Sequence, residues 1–231
     1  MPLDATLLRR IVRALSVLDE RGTTGPRLVD DSLRLWRRVK KLLTMELVPS
    51  TADADALELA CYALQLPFAY EKSNRGQLPV RTRLKDRAVQ AIEALPRLFT
   101  DSSANTAAGI SANISADESL LQRTINLLEQ MPERIPKASD AKLLADAVNL
   151  DDFGVSGMIV QTIQLSRQGE GLTQLIDGAE KRELYGYWDA RLKDGFHFEQ
   201  SRRIAQTRLE HARAATKLLS QELMQEAEAL P

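Results

Sequence analysis

Apolar residues along this 231-residue chain recur every three or four positions, and no segment alternates with a period of two. Spacing of three to four places apolar side chains on one face of a helix, whereas a half-buried strand needs strict alternation. The pattern predicts an all-α fold, a helical bundle of about eight or nine helices. Hydrophobic residues make up 44% of the chain, enough to bury a sizeable core, while aromatics reach only 5%, which fits helices better than sheets.

Punctuation along the chain divides the helices. Over 3–20, Leu7, Leu8, Ile11, Val12, Leu15 and Leu18 keep helical spacing, with Asp4 as cap and Gly22, Gly25 and Pro26 as stops. A second helix is expected over 28–48, where Leu35, Val39 and Leu42 share a face. Pro49-Ser50-Thr51 closes it and caps a third, 52–66, which is apolar nearly all round and so belongs at the centre of a core. After Pro67 a surface loop is expected over 70–80, then a helix over 81–98. The small, polar stretch 100–116 reads as a loop or linker. Neither of its flanks alone carries a complete helical core, so 1–231 is expected to be one domain.

Further helices are expected over 117–131, from Ser139 and Asp140 to Leu150, over 158–167 after Gly154 and Gly157, over 172–190, and over 199–228. In the last, Ala205, Leu209, Ala212, Thr216, Leu219 and Leu223 form a seam of the kind packed helices share. It could pair with a second protomer to make a homodimer, or pack on the chain's own core.

Charge and chemistry narrow the classes. Thirty-one Lys and Arg face 32 Asp and Glu, a net charge of −1, which argues against a dedicated nucleic-acid or anionic-membrane binder. A single cysteine, Cys61, excludes an internal disulfide framework and a thiolate-rich zinc site, and reads as core filler. Only two histidines, His197 and His211, are present, too few for a three-histidine metal site. The start, Met-Pro-Leu-Asp, lacks the apolar core of a signal peptide, and no 18-residue apolar run occurs, so a cytoplasmic, soluble protein is expected. No Gly-rich phosphate loop, nucleophile elbow, paired-histidine zinc helix or Cys-x-x-Cys is found.

Several groups remain, each with a functional and a plainer use. Asp146, Asp151 and Asp152 could form a residual cation site, or Asp151 and Asp152 could cap the Phe153-Gly154 turn. His211 reads as a boundary residue of the last helix and His197 as part of a loop anchored by Phe196 and Phe198. Arg34, Arg37, Arg38, Lys40 and Lys41 make a basic stripe: a phosphate, RNA or acidic-partner patch, or a solvated face. Tyr185, Tyr187, Trp188, Phe196 and Phe198 are either a stacking box or the packing of the last helix.

Two passages resemble the HD superfamily of helical, metal-dependent phosphohydrolases. Lys142-Leu-Leu-Ala-Asp146-Ala-Val-Asn-Leu150-Asp151-Asp-Phe-Gly154 is similar to the segment that carries the family's last metal ligand, and the matching residue is Asp146. The run from Tyr185-Gly-Tyr-Trp188 through Arg208-Leu-Glu210-His-Ala212 resembles the family's closing helix. Asp31-Ser-Leu-Arg34-Leu35-Trp36 is similar to the helix that opens with the family's first histidine ligand. Glu58-Leu-Ala60-Cys-Tyr-Ala-Leu64-Gln65-Leu66-Pro67 resembles the helix that ends in the His-Asp pair.

The departures fall on the chemistry. Asp31 stands where the first histidine belongs, and Leu64 and Gln65 replace His-Asp. Leucine has no lone pair, and a glutamine amide supplies no charge to a cation. The resemblance therefore implies an HD-domain-like single domain that has lost phosphohydrolase activity and keeps a binding or regulatory role. Its partner would be a protein or a small phosphorylated ligand, and it would need no cofactor. A second expectation is a live hydrolase holding a divalent metal through oxygens of Asp31 and Asp146. A third is a helical protein-interaction module unrelated to HD proteins.

Overall fold

A computed structural model describes residues 3–18, 24–25, 27–45, 47, 52–70, 84–100 and 110–228. Among the described residues the regular structure is helical apart from one two-residue antiparallel pairing of Val17–Leu18 (β1) with Thr24–Gly25 (β2). Contacts group the chain into two compact units, with the division between Ala145 and Asp146.

The first unit contains α1 (Ala5–Leu15), α2 (Arg27–Leu43), α3 (Ala54–Ala63), α4 (Leu66–Tyr70), α5 (Leu84–Ala94), α6 (Arg97–Thr100), α7 (Ile110–Gln130) and the opening of α8 (Ser139–Asn149). Asp4 caps α1 as its position suggests: one carboxylate oxygen accepts the Thr6 and Leu7 N–H groups at 2.8 and 3.2 Å. Leu7, Ile11 and Leu15 of that helix are buried, as are Leu35, Val39 and Leu42 of α2. Central to this unit is α3, packed against both α2 and α7. Its residues Ala56, Leu57, Leu59, Ala60 and Cys61 are all buried, so a helix without a polar face sits where sequence places it.

The cap of α3 differs from expectation. Asp53, not Ser50 or Thr51, fills it: Asp53 Oδ1 accepts the Ala56 N–H at 3.1 Å, and Oδ2 pairs with Arg123 at 3.2 Å. The Asp53 N–H in turn donates to Asp140 Oδ2 at 2.9 Å, joining the starts of α3 and α8. Two buried hydroxyls in this unit, Ser32 and Thr124, satisfy themselves by donating to carbonyls one turn back, at 2.8 Å each.

The second unit holds the end of α8, a short 3₁₀ turn (Leu150–Asp152), α9 (Val155–Arg167), α10 (Leu172–Leu184), α11 (Tyr187–Asp194) and α12 (Glu199–Glu228). Helix α9 packs against both α10 and α12, and α11 lies against the same two helices. Phe153 is fully buried at the centre of an aromatic cluster, 5.1 Å from the Trp188 ring and 5.3 Å from Phe196.

Several boundaries correct the sequence expectations. Twelve α-helices appear among the described residues rather than eight or nine, because short turns such as α4 and α6 count separately. The stretch expected as a loop over 100–116 is helical from Ile110 onward. Residues 101–109 and the loop expected over 70–80 lie largely outside the described residues. The helix expected over 172–190 breaks at Tyr185-Gly186, where Gly186 adopts a left-handed φ of 61°. Helix α9 begins at Val155, three residues early, because Gly154 ends the preceding turn at φ 89° and Gly157 lies inside the helix. The end of α1 at Leu15 and of α2 at Leu43 falls short of the apolar periodicity by about one turn each.

Candidate functional site

The four positions singled out by resemblance fall in both units. Asp31 lies on α2 and forms an ion pair with Arg34 of the next turn at 3.0 Å. Leu64 ends α3 fully buried, and its carbonyl accepts from Arg87 Nε at 3.4 Å. Gln65 is buried beside it, its backbone N–H donating to the Tyr62 carbonyl at 2.9 Å. These three belong to the first unit, and Asp146 begins the second.

Asp146 is fully buried, and both its oxygens accept from backbone. Oδ1 takes the His197 N–H at 2.8 Å and Oδ2 the Phe198 N–H at 3.0 Å. Those residues lead directly into α12, whose first helical residue is Glu199. The carboxylate thus anchors the entry to the longest helix of the unit, satisfying two amides that no helical carbonyl reaches. Burial pushes the Asp146 carboxyl above its usual range. The His197 and Phe198 N–H groups, the Ser201 hydroxyl and the His197 ring pull the other way without winning. The buried Ser201 hydroxyl acts there through proximity rather than through a well-formed hydrogen bond.

A second polar network organises the 3₁₀ turn. Asn149 donates to the Gly195 carbonyl at 2.6 Å and accepts from Arg191 at 3.3 Å. The same guanidinium nitrogen of Arg191 reaches Asp152 at 2.8 Å. Arg208 of α12 donates to the Leu150 carbonyl at 3.0 Å. Asp152 therefore serves an ion pair at the turn. Among the described residues, no three His, Cys, Asp or Glu side chains gather closely enough to hold a metal ion.

The remaining candidates take varied places. Of the basic stripe, Arg34, Arg37, Lys40 and Lys41 are exposed, but Arg38 is buried at 8% exposure and leaves the solvated face. Lys40 Nζ lies 5.5 Å from the Trp36 ring centre, a cation over an aromatic face. His211 is exposed on α12. Of the expected aromatic group, Trp188 and Phe196 join the Phe153 cluster and Tyr187 meets Trp188 edge-on at 5.1 Å, whereas Tyr185 is 80% exposed and takes no part. The seam of α12 is buried at Ala205 and Leu209 and only half-buried from Ala212 onward.

That half-buried stretch faces a cavity of about 370 Å³ lined by α9, α10, α12 and Trp188. Its walls are mainly apolar: Met158 from α9, Leu175, Ile176 and Ala179 from α10, and Leu209 and Ala212 from α12. Two lining glycines are held by close packing behind the wall. A Cβ on Gly154 would meet Arg208 Cβ at 3.2 Å, and one on Gly157 would come within 2.6 Å of the Asp152 carbonyl oxygen. Thr216 donates to the Ala212 carbonyl at 2.9 Å and approaches the Met158 sulfur at 3.6 Å, so its hydroxyl is spent within the wall.

Charges gather at the margin of this cavity. Arg213 clasps Glu183 through two guanidinium nitrogens at 2.8 and 2.6 Å, and Glu183 accordingly raises the arginine's pKa. The Arg182 guanidinium lies 5.9 Å from the Trp188 ring centre. Glu180 and Lys217 also line the cavity. A concave, mostly apolar space with a few polar groups at its edge is the usual form of a small-molecule site. No single-helix pattern in the sequence exposes it, because its lining comes from separate helices and Trp188.

Comparison of the chain with family models, with curated proteins and with solved structures finds no match. Among the described residues no helix is long and apolar enough to cross a membrane.

Proposed function

We propose that this chain is a non-catalytic, helical binding protein whose ligand site is the cavity bounded by α9, α10 and α12. The observation that carries this reading is the cavity itself: about 370 Å³ of mainly apolar space, within the range that holds small ligands. The lack of phosphohydrolase turnover rests on the residues at the positions that resemble an HD site. Leu64 offers packing in place of a ligand atom, Asp31 is engaged by Arg34, and both oxygens of Asp146 already serve backbone amides. Under this reading the chain is a degenerate relative of the HD proteins, supported by the sequence around Asp146.

The test uses N-phenyl-1-naphthylamine, an uncharged apolar probe, followed by its own emission and by quenching of Trp188. Saturable one-to-one binding is expected, together with its loss in Ala212→Phe protein that keeps its helical circular dichroism. Absence of binding overturns the site. Metal-dependent hydrolysis of a generic phosphoester that disappears in Asp146→Ala overturns the non-catalytic reading.

A further inference from the structure

Two oppositely charged rungs stand on the facing helices of this cavity, and they differ. Glu183 of α10 and Arg213 of α12 close on each other in a two-point ion pair. Glu180 lies one turn before Glu183 on α10, and Lys217 lies one turn after Arg213 on α12. Both line the same cavity, yet neither forms an ion pair among the described residues. The first rung is shut and the second is open, with apolar wall beside it.

A ligand that fits all of this needs three features. It needs an anionic group for the Lys217 ammonium and a cationic group for the Glu180 carboxylate. It also needs an apolar body of modest volume to lie against Met158, Leu175, Leu209 and Trp188. A purely apolar ligand would leave both charges to solvent, and a singly charged one would answer one of them while setting its own charge beside the other, which has the same sign. We propose that the cavity binds a zwitterionic ligand with a bulky apolar side chain, of the chemical class of a free aromatic or large aliphatic amino acid. The ligand carboxylate meets Lys217, its ammonium meets Glu180, and its side chain enters the apolar space. This rests on the cavity being the binding site proposed above.

The experiment is calorimetric titration of the full chain with four compounds of one shape. L-Phenylalanine carries both charges, phenylalaninamide only the cation, N-acetylphenylalanine only the anion, and N-acetylphenylalaninamide neither. Phenylalanine is expected to bind best, with each singly charged analogue weaker by roughly threefold or more, since charge contacts at a solvent-exposed rim are modest. Lys217→Met should erase the preference for phenylalanine over phenylalaninamide and leave its preference over N-acetylphenylalanine. Glu180→Gln should do the reverse. Both side chains are exposed, so neither substitution threatens the fold. Equal binding of all four compounds, or binding of the naphthyl probe with none of the four, overturns the zwitterion assignment and leaves the cavity site standing. Failure of the naphthyl probe as well overturns both. A preference for phenylalanine that survives Lys217→Met and Glu180→Gln together also overturns it.

Discussion

The Phe198 N–H donates to Asp146 Oδ2 at 3.0 Å, across 52 positions of chain. With the adjacent His197 N–H on Oδ1, it fixes where α12 starts. A buried carboxylate that satisfies two amides is costly to replace, because each orphaned N–H keeps its desolvation penalty.

Asp146→Asn should therefore destabilise the second unit by about 1–3 kcal/mol, since the amide NH₂ would face one of the two donors. Asp146→Ala should cost at least as much. Urea denaturation followed by circular dichroism measures both, and wild-type stability in either variant would remove Asp146 from the role of anchor.

The pH dependence of that anchor has a definite sign. Burial holds the Asp146 carboxyl above its ordinary value, so the folded state binds its proton more tightly than the unfolded state does. Its contribution to stability is fully present below the unfolded pKa and declines as pH rises through the folded pKa. The advantage of wild type over Asp146→Asn should accordingly be greatest in acid and narrow across that window. Denaturation of both proteins over a pH series checks this, with carbon NMR of the Asp146 carboxyl reporting its titration directly.

Gly154 sits at φ 89° and ψ −176°, a region open essentially to glycine alone. Gly154→Ala should cost about 1–3 kcal/mol from backbone strain. The added Cβ would also press on Arg208 Cβ at 3.2 Å. Thermal unfolding measures the loss, and an unchanged transition would contradict the backbone geometry.

Leu64 is fully buried at the end of α3, so Leu64→Ala should cost about 2–5 kcal/mol by opening a void in a close-packed core. Leu64→Met, which keeps most of the volume, should cost less than about 1.5 kcal/mol. Equal losses in the two variants would argue against packing as the role of this side chain.

The Arg213–Glu183 pair is well formed but nearly half exposed, at 46% and 43% for the two side chains. A double-mutant cycle with Arg213→Met and Glu183→Gln should give a coupling of no more than about 1 kcal/mol, shrinking with added salt. A larger, salt-insensitive value would mean that the pair is shielded from solvent.

Helical periodicity carried most of the fold. The spacing of Leu7, Ile11 and Leu15, and the unbroken apolar surface of α3, each led to a buried face. Element ends were harder to read. The same small residues serve in loops and in helices, which is why Ile110 opens a helix inside a stretch that reads as a linker. Gly157 was legible as a glycine but not as a helical one, because the reason for it, the Asp152 carbonyl 2.6 Å from any Cβ, is a tertiary contact. Asp146 stood out by resemblance, whereas its partners were backbone amides about fifty residues away, which no side-chain motif encodes. The cavity needed three helices and a tryptophan to be placed together before it existed as a feature at all.

Each of the chain's two tryptophans belongs to a different unit: Trp36 on α2 in the first and Trp188 on α11 in the second. Every unit thus carries its own optical reporter. Removing one indole at a time turns a single melting curve into two, and their superposition or separation tells whether the chain comes apart in one step or by halves.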